Sequence, residues 1–450
     1  MNDKTRLKYE EFNNKIYRLF PEKIGELRIG GNFVRTLTIQ VTEDCNMACT
    51  YCYQHNKSHK MMSFETAKKF IDLLLDADER SCKYITSTTT PAVILDIIGG
   101  EPLMNIEVID QLTDYFIEQC IIRKHPWATN FRIGITTNGL LYFDPKVQEY
   151  IAKNRDHLSL NISIDGNKTL HDRSRIDKAG NPTYDRAMAA VNHFRNHWSG
   201  KNNINSKVTI APDNIQYIAQ AIIEMISNGY ELINLNCSYE EGWKDEHGPE
   251  LYKQLKTIAD YVLEHDLEDK LYISMFDNLN GTPWTKNCED ACWCGGAGLM
   301  IGVDPDGNIY PCLRYMPSSV GYDREPFIIG TVDDGFLATP EQCNRIKQFE
   351  GLKRSTQCEG LECANCQIST GCGDCIGYTY EKTGSVKTRT TYHCITHKAR
   401  VLASSYYNNK RLEKQGSIER YKLYIPDEWA LQIVNEAELD MIKKLSESYS

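Results

Sequence analysis

The chain has 450 residues and a formal net charge of −10, with 51 Lys and Arg against 61 Asp and Glu. Its length allows a large core and more than one domain. The acidic balance argues against a nucleic-acid partner, because phosphate binding requires clustered cations. No apolar run approaches the roughly 18 residues that a membrane helix needs. The first residues also lack the apolar core of a signal peptide, so we expect a cytoplasmic protein with no membrane partner.

Strand and helix signals alternate along the first half of the chain, after a polar preface that ends at Gly30-Gly31. A helix is predicted after each of the first five strands, beginning with one that Ser63 caps. The predicted strands are Val34–Val41, Ala92–Ile98, Phe131–Thr136, Leu158–Ile164, Lys207–Ile210 and Leu232–Asn236. The later helices are Ile106–Arg123, Val147–Ala152, one after Tyr184, and Ile215–Ser227. Such units predict a parallel sheet with helical crossovers, which binds ligands at the carboxyl ends of its strands.

Cysteine is the unusual component of the composition, with 17 residues. In a reducing compartment this number is better explained by metal than by disulfides. Three of them follow the first predicted strand in a C-x3-C-x2-C pattern: Cys45, Cys49 and Cys52. Three thiolates can hold three irons of a [4Fe-4S] cube and leave the fourth iron open, whereas a closed structural site has four protein ligands. A zinc knuckle is the alternative interpretation of the triplet alone.

This spacing, with an aromatic residue beside the third cysteine, resembles the radical S-adenosylmethionine (radical SAM) enzymes. The resemblance covers about residues 34–240 and implies an α/β fold, the partial (β/α)6 barrel of that family. It also implies that SAM binds the open iron. One electron then cleaves SAM to methionine and a 5'-deoxyadenosyl radical, which abstracts hydrogen from the substrate. An electron donor such as flavodoxin or ferredoxin is implied as a partner.

Four further stretches are similar to positions that contact SAM in this family. Gly99, Gly100 and Glu101 stand in a Gly-Gly-Glu-Pro turn at a strand end, where glycine lets the backbone approach a ligand closely. The family's motif there receives the SAM amino group. Ser163 and Arg175 resemble the pair that contacts the ribose and the carboxylate. Tyr51 and the backbone near Leu235 resemble the walls of the adenine pocket. The ordinary structural interpretations are a tight turn, a small sheet residue at 163 and a surface salt bridge at 175.

From Cys288 onward the chain becomes rich in cysteine and resembles the SPASM domain, which holds two auxiliary [4Fe-4S] clusters. An Asp-Gly pair at 306–307 suits a hairpin that would bring Cys294 and Cys312 together. The resemblance assigns Cys288, Cys294, Cys312 and Cys375 to the first cluster, and Cys363, Cys366, Cys372 and Cys394 to the second. The family usually has three residues, not two, between its last two clustered cysteines. Cys292 in place of Cys288, an open iron in the first cluster, and two structural zinc sites are the alternatives.

These patterns together predict five regions. They are an N-terminal preface (1–33), the radical SAM partial barrel (34–240), linker helices (241–287), the SPASM auxiliary-cluster domain (288–394) and a C-terminal helical tail (395–450). We expect the tail to pack on the barrel, because its apolar residues recur at helical spacing.

The leading interpretation is a radical SAM/SPASM maturase that abstracts hydrogen from a residue of a ribosomal precursor peptide. It would form a thioether (sactipeptide or ranthipeptide type) or a carbon–carbon crosslink, and no catalytic side chain is assigned beyond the SAM cluster. The first alternative is an anaerobic sulfatase-maturating enzyme, which forms formylglycine. Those enzymes place an acidic base directly after the cysteine aligned with Cys312, where this chain has Leu313 and Arg314. The second alternative is a non-catalytic metal-binding scaffold, which would have no need of a SAM pocket.

Overall fold

The computed structural model describes residues 34–77, 92–198, 205–240, 242–283, 294, 296, 300–321, 323–349, 352, 363 and 365–447. The predicted N-terminal preface, Cys288 and Cys292 lie outside these residues. Among the described helices, none combines the length and the apolar character that crossing a membrane requires.

All six predicted strands are present, and they are divided between two sheets. The larger sheet has the order β11-β10-β9-β8-β1-β2-β3-β4 and the smaller one the order β5-β6-β7. The strands are β1 (Val34–Gln40), β2 (Ala92–Ile98), β3 (Phe131–Thr137), β4 (Leu158–Ile162), β5 (Asn205–Ile210), β6 (Leu232–Cys237), β7 (Tyr272–Ile273), β8 (Met300–Val303), β9 (Asn308–Tyr310), β10 (Gly330–Thr331) and β11 (Gly335–Phe336). The pairs β1–β2, β2–β3, β3–β4 and β5–β6 are parallel, as predicted.

Strand β1 lies inside the larger sheet and is covered on both faces. Leu37 and Ile39 have no exposed surface, and neither have the polar Thr38 and Gln40 of the opposite face. The Nε2 atom of the buried Gln40 amide donates to Ser318 Oγ at 2.9 Å. The loop that carries the cysteine triplet therefore leaves the sheet from a strand that is fixed on every side.

The hairpin predicted around Asp306-Gly307 is present and extends the barrel sheet. Strands β8 and β9 pair antiparallel, and the turn between them contains Gly307 with a φ of +86°, a conformation that favours glycine. On its other side β8 pairs parallel with β1, from Thr36↔Met300 to Ile39↔Val303. The hairpin of the cysteine-rich half is thus continuous with the first strand of the barrel, so the predicted boundary between the two regions does not separate their strands.

The helices predicted between the strands, in the linker and in the tail are present. The helices are α1 (Phe64–Leu75), α2 (Ile106–Ile122), α3 (Pro145–Asn154), α4 (Lys168–Ser174), α5 (Tyr184–His197), α6 (Ile218–Ser227), α7 (His247–Glu264), α8 (Pro340–Lys347), α9 (Ile376–Thr383), α10 (Cys394–Lys414), α11 (Asp427–Ala430) and α12 (Glu436–Ser446), and α4, α8 and α9 are additions to the prediction. Ser63 caps α1, because its hydroxyl accepts from the N–H of Thr66 at 3.0 Å. Sequence reasoning missed α4, whose seven residues are too few to display a helical period.

The last two helices of the C-terminal tail, α11 and α12, pack on two long helices. Their residues 427–446 contact α10, and the Tyr252 hydroxyl of α7 donates to Glu438 Oε1 of α12 at 2.6 Å. Helix α7 also packs on α6 and on α10. The end of the tail therefore covers α7, which lies in the predicted linker, and α10, which belongs to the tail itself.

We predict that Gly100→Ala is strongly destabilising. A Cβ at position 100 would lie 2.2 Å from the carbonyl oxygen of Asp44, a backbone atom that cannot turn aside. We expect the free energy of unfolding to fall by about 3 kcal/mol, because overpacked sites must shift backbone. The measurement is the urea midpoint of unfolding followed by circular dichroism.

Gly134→Ala in β3 is the matched control, since the nearest atom to its added Cβ is 3.5 Å away. We expect this variant to change the free energy of unfolding by less than about 1 kcal/mol. Equal midpoints for the two variants would contradict the close approach at Gly100.

Candidate functional site

The loop that carries the cysteine triplet is held by backbone hydrogen bonds on two sides. The turn that follows β2 holds its beginning, and the segment that follows α4 holds its middle. The bonds run from Gly100 N to Thr42 O (2.9 Å), Glu101 N to Asp44 O (2.8 Å), Ala48 N to Ile176 O (2.8 Å) and Thr50 N to Ser174 O (3.0 Å). These contacts bring the Gly-Gly-Glu-Pro turn and the Arg175 segment to the cysteines, although both are distant from them in sequence.

The three thiols of the triplet lie close enough together to affect one another. Cys45 is buried, whereas Cys49 and Cys52 are half-buried. Burial raises the pKa of the Cys45 thiol to about 11, and Cys49 contributes to the increase. Burial also raises the pKa of Cys49, while Lys57 interacts electrostatically with all three thiols. Without a metal the thiols of Cys45 and Cys49 are largely protonated at neutral pH, so binding of a metal or cluster by these two residues releases protons.

Arg175 and Tyr51, both predicted to contact SAM, are joined by Asp165. The Nε atom of Arg175 donates to Asp165 Oδ2 at 2.8 Å, and the Tyr51 hydroxyl donates to the same oxygen. The guanidinium also lies 5.6 Å from the centre of the Tyr51 ring. The side chains of Arg175 and Asp165 are only 13% and 2% exposed, so this ion pair is buried and not the surface salt bridge of the ordinary interpretation.

Sequence reasoning gave Asp165 no role of its own, although an acidic residue before glycine at a strand end was a usable signal. His171 of α4 fixes its backbone, because His171 Nδ1 accepts from the N–H of Asp165 at 3.3 Å. Burial lowers the pKa of His171 to about 3, so the imidazole is neutral. Its proton is then on Nε2, which donates to Thr183 Oγ1 at 3.1 Å. The Thr183 hydroxyl in turn donates to the carbonyl of Arg175 at 2.6 Å.

Glu101 connects the segment after β2 with the end of β3 through hydrogen bonds. It is 1% exposed, and its carboxylate accepts hydrogen bonds from Leu103 N (3.1 Å), Thr137 Oγ1 (2.6 Å) and Asn138 N (2.8 Å). Burial raises the pKa of Glu101 to about 7, against the lowering effect of these donors. Next to it, Asn138 Nδ2 donates to Asn46 Oδ1 of the cysteine loop at 2.7 Å. The contact of Glu101 with SAM stays a prediction, and its protein partners give this residue a structural role as well.

The remaining two predicted SAM contacts lie on different sheets. Ser163 directly follows β4, is half-buried, and donates its N–H to Thr137 O at 2.9 Å. Leu235 lies inside β6, where the Ser274 hydroxyl accepts from its N–H (2.9 Å) and donates to its carbonyl (3.0 Å). Both roles stay predictions.

Three cysteines predicted to hold the first auxiliary cluster lie together. A Cβ added to Gly296 would be 3.0 Å from Cys312 Sγ and 3.6 Å from Cys294 Sγ, so both sulfur atoms border this glycine. Cys375, at the start of α9, interacts electrostatically with Cys294 and Cys312. Burial raises its pKa to about 11. The group includes Cys375, the residue at which the sequence departs from the SPASM spacing.

Three cysteines assigned to the second auxiliary cluster form another group. Burial raises the pKa of the Cys394 thiol to about 12, and the neighbouring thiols of Cys372 and Cys363 raise it further. Cys366 belongs to the same loop, since its N–H donates to Cys363 O at 3.2 Å. Arg389 Nη2 approaches Cys372 Sγ at 3.7 Å. The described cysteines of the two predicted sets thus lie in two groups, Cys288 is outside the described residues, and the binding of a cluster by either group stays a prediction.

Among the described residues, these cysteine groups have neither a disulfide nor an arrangement suited to a single metal ion. No disulfide joins any of the 13 cysteines that the structure describes. In the same part of the chain, no three His, Cys, Asp or Glu side chains are arranged to hold one metal ion. In a cube each thiolate binds a different iron, so its ligands stand farther apart than those of a single zinc ion.

Comparison with known proteins agrees with this geometry. Residues 39–220 match the family model of the Radical SAM superfamily. A serine-type anaerobic sulfatase-maturating enzyme of Bacteroides thetaiotaomicron is 26% identical over 380 residues, which are 78% of this chain and 84% of that enzyme. The solved structure of native anSMEcpe with bound AdoMet superposes with a TM-score of 0.59 at 21% identity, covering 85% of this chain and 98% of that one.

A second solved structure has a similar fold. Streptococcus suis SuiB bound to precursor peptide SuiA has a TM-score of 0.51 at 13% identity, over 86% of this chain and 88% of SuiB. The predicted α/β radical SAM fold is thus confirmed by the family match and by the structures that resemble it. Residues 39–220 of this chain, which contain the cysteine triplet, the Gly-Gly-Glu-Pro turn and the Asp165–Arg175 pair, form a radical SAM domain.

Proposed function

We propose that this chain is a radical SAM/SPASM maturase acting on a ribosomal precursor peptide. A 5'-deoxyadenosyl radical would abstract hydrogen from one residue of the peptide, and a thioether or carbon–carbon crosslink would follow. The proposal depends on one observation above all. The thiols of the triplet and the buried Asp165–Arg175 pair lie close together beyond the ends of the strands. A peptide substrate is supported by the relatives, since SuiB was solved with a precursor peptide and another relative matures sulfatases.

A radical SAM domain uses a [4Fe-4S] cluster and SAM, and the residues present fit both. Cys45, Cys49 and Cys52 would hold the cluster, which supplies the electron that cleaves SAM. Flavodoxin or ferredoxin would provide that electron. Arg175 has five N–H donors, of which Asp165 accepts from Nε and Nη2. This leaves donors on Nη1 for the SAM carboxylate, and such charge-assisted bonds are strong.

We further propose that the two cysteine groups hold auxiliary [4Fe-4S] clusters. The first would be bound by Cys294, Cys312 and Cys375 with Cys288, and the second by Cys363, Cys366, Cys372 and Cys394. Removing one hydrogen atom from the substrate leaves a radical, and closing a crosslink requires the loss of one more electron and one proton. A cluster at either group would provide an acceptor for that electron, or a binding site for a substrate thiolate.

Formylglycine formation is the second candidate, favoured by the 26% identical relative that covers most of the chain. In this chain Leu313 and Arg314 occupy the positions where such enzymes have their acidic base. A nearby carboxylate, Glu240, accepts a hydrogen bond from Arg314 Nη1 at 3.0 Å. This carboxylate is therefore engaged in an ion pair with Arg314. Mass spectrometry of a modified peptide treated with an aldehyde-reactive hydrazide separates the two reactions, because a crosslink, which removes two hydrogens as the oxidation of Ser to formylglycine also does, leaves no aldehyde to label. Formylglycine instead replaces the Cys or Ser side chain by an aldehyde.

We expect Cys45→Ala to abolish 5'-deoxyadenosine release from SAM under a reductant. The anaerobically reconstituted protein should contain about twelve irons, since each cube has four, and the variant about eight. The measurements are the iron and sulfide content of each protein and the release of 5'-deoxyadenosine, which is followed by chromatography.

The control is Cys120→Ala, which removes a fully buried thiol of helix α2. It should keep all the irons and the activity. Zinc in place of iron, or a wild-type protein that does not cleave SAM, would overturn the proposal and favour the scaffold.

Asp165→Asn should weaken SAM binding while leaving the iron content unchanged. Removal of one partner leaves the Arg175 charge buried and uncompensated, at a cost of about 3 kcal/mol in stability. Because Asp165 also orients Arg175, we expect the Kd for SAM to rise at least about tenfold, which is 1.4 kcal/mol of binding free energy. Calorimetry with SAM on the reconstituted protein measures it.

Asp185→Asn is the matched control, since Asp185 is 77% exposed and pairs with Lys168 on the surface. Its Kd for SAM should equal that of the wild type. An unchanged Kd for SAM in Asp165→Asn would contradict the proposed binding of SAM by Arg175.

A further inference from the structure

A buried arginine lies between the cysteine triplet and the first auxiliary group. Arg314 is 9% exposed and belongs to the short helical turn Leu313–Tyr315 that follows Cys312. Its guanidinium is 4.9 Å from the centre of the Tyr53 ring and 5.4 Å from that of Tyr378. Tyr53 directly follows Cys52, and Tyr378 lies in the first turn of α9, just after Cys375. The aromatic–guanidinium–aromatic stack therefore connects the triplet loop with the helix that begins at Cys375.

The hydrogen bonding of this guanidinium is incomplete. Nη1 donates to Glu240 Oε1 at 3.0 Å, and Nη2 is 4.0 Å from Glu381 Oε2. Among the described residues, neither Nε nor Nη2 of Arg314 has a hydrogen-bond acceptor, although both atoms are buried. A buried donor without a partner costs about 1–3 kcal/mol. An acceptor beyond the described protein atoms is therefore expected at this point.

Two thiols of the first group lie within electrostatic range of the same guanidinium. Arg314 interacts electrostatically with Cys312 and with Cys375. An arginine guanidinium is not deprotonated in proteins, so the group keeps its positive charge. Gly377 packs directly against Arg314, because a Cβ at that glycine would lie 2.4 Å from Arg314 Cβ.

We propose that Arg314 donates Nε and Nη2 hydrogen bonds to sulfur of the first auxiliary cluster and raises the reduction potential of that cluster. The proposal rests on the proposed assignment of Cys294, Cys312 and Cys375 as its ligands. Reduction adds one negative charge to a cluster, and a cation held nearby in a poorly solvated site stabilises the reduced form. Hydrogen bonds to the sulfur atoms act in the same direction. Arg314 is thus a positioning residue that makes this cluster easier to reduce than it would be without the guanidinium.

The test is a redox titration monitored by electron paramagnetic resonance on the anaerobically reconstituted full chain, with dithionite as reductant. In Arg314→Gln one cluster should become at least about tenfold harder to reduce, a shift of 59 mV to lower potential for a one-electron couple. The other two potentials should stay unchanged. Arg314→Lys keeps the charge but not the planar fork, so its shift should be smaller and of the same sign.

Arg345→Gln is the control, because Arg345 is also a partly buried arginine that pairs with a glutamate, Glu341, and stacks on an aromatic ring, Phe327. It should leave all three potentials unchanged. If Arg314→Gln contains about twelve irons and its three potentials are unchanged, the role of Arg314 is overturned, whereas the auxiliary-cluster proposal is not. About four irons in the wild type would overturn the auxiliary-cluster proposal, and the inference with it.

Glu240→Gln serves as the second variant if Arg314→Gln loses iron. It keeps Arg314 and removes the carboxylate that accepts from Nη1, so the positive charge is less compensated. The potential of the same cluster should then rise, opposite in sign to the change in Arg314→Gln. A fall or no change in Glu240→Gln would overturn the proposed role of the Arg314 charge.

Discussion

The close contact between the Gly-Gly-Glu-Pro turn and the start of the cysteine loop is the constraint on which the site depends. The Gly100 N–H donates to Thr42 O, and the space for a side chain at Gly100 is taken by the Asp44 carbonyl. Because these contacts are between backbone atoms, the loop cannot move away from the end of β2. The segment around Arg175 holds the other side of the loop. The positions of the cysteines are therefore set by the sheet and not by the short loop itself.

Burial of charge is the second recurring feature of the site. Asp165 and Arg175 form an ion pair with little exposure, and Glu101 is surrounded by three donors. Pairs of this kind contribute little net stability, because desolvation offsets their attraction. Their value lies in orientation, since a guanidinium held by one carboxylate presents its remaining donors in a fixed direction. A site that must place SAM against an open iron benefits from such fixed donors.

The two halves of the chain are joined by the sheet. Strand β8 pairs with β1, so the hairpin that ends near Cys312 is attached to the strand that ends near Cys45. Arg314 and Tyr53 then meet between these two ends. The site of the triplet and the first cysteine group are consequently neighbours in one rigid framework, which suits an enzyme whose chemistry would use both.

The sequence by itself determined the strand–helix series, the position of the cysteine triplet and the hairpin at Asp306-Gly307. These features depend on local periodicity, spacing and turn chemistry, which a linear pattern records. The resemblance to SPASM domains also predicted a division of the cysteines into two sets of cluster ligands, and this division stays a prediction. The sequence did not reveal the pairing of β8 with β1, the short helix α4, the partnership of Asp165 with Arg175 and Tyr51, or the position of Arg314. Those features are decided by contacts between residues far apart in the chain, and only the folded sheet brings such residues within a few ångströms of each other.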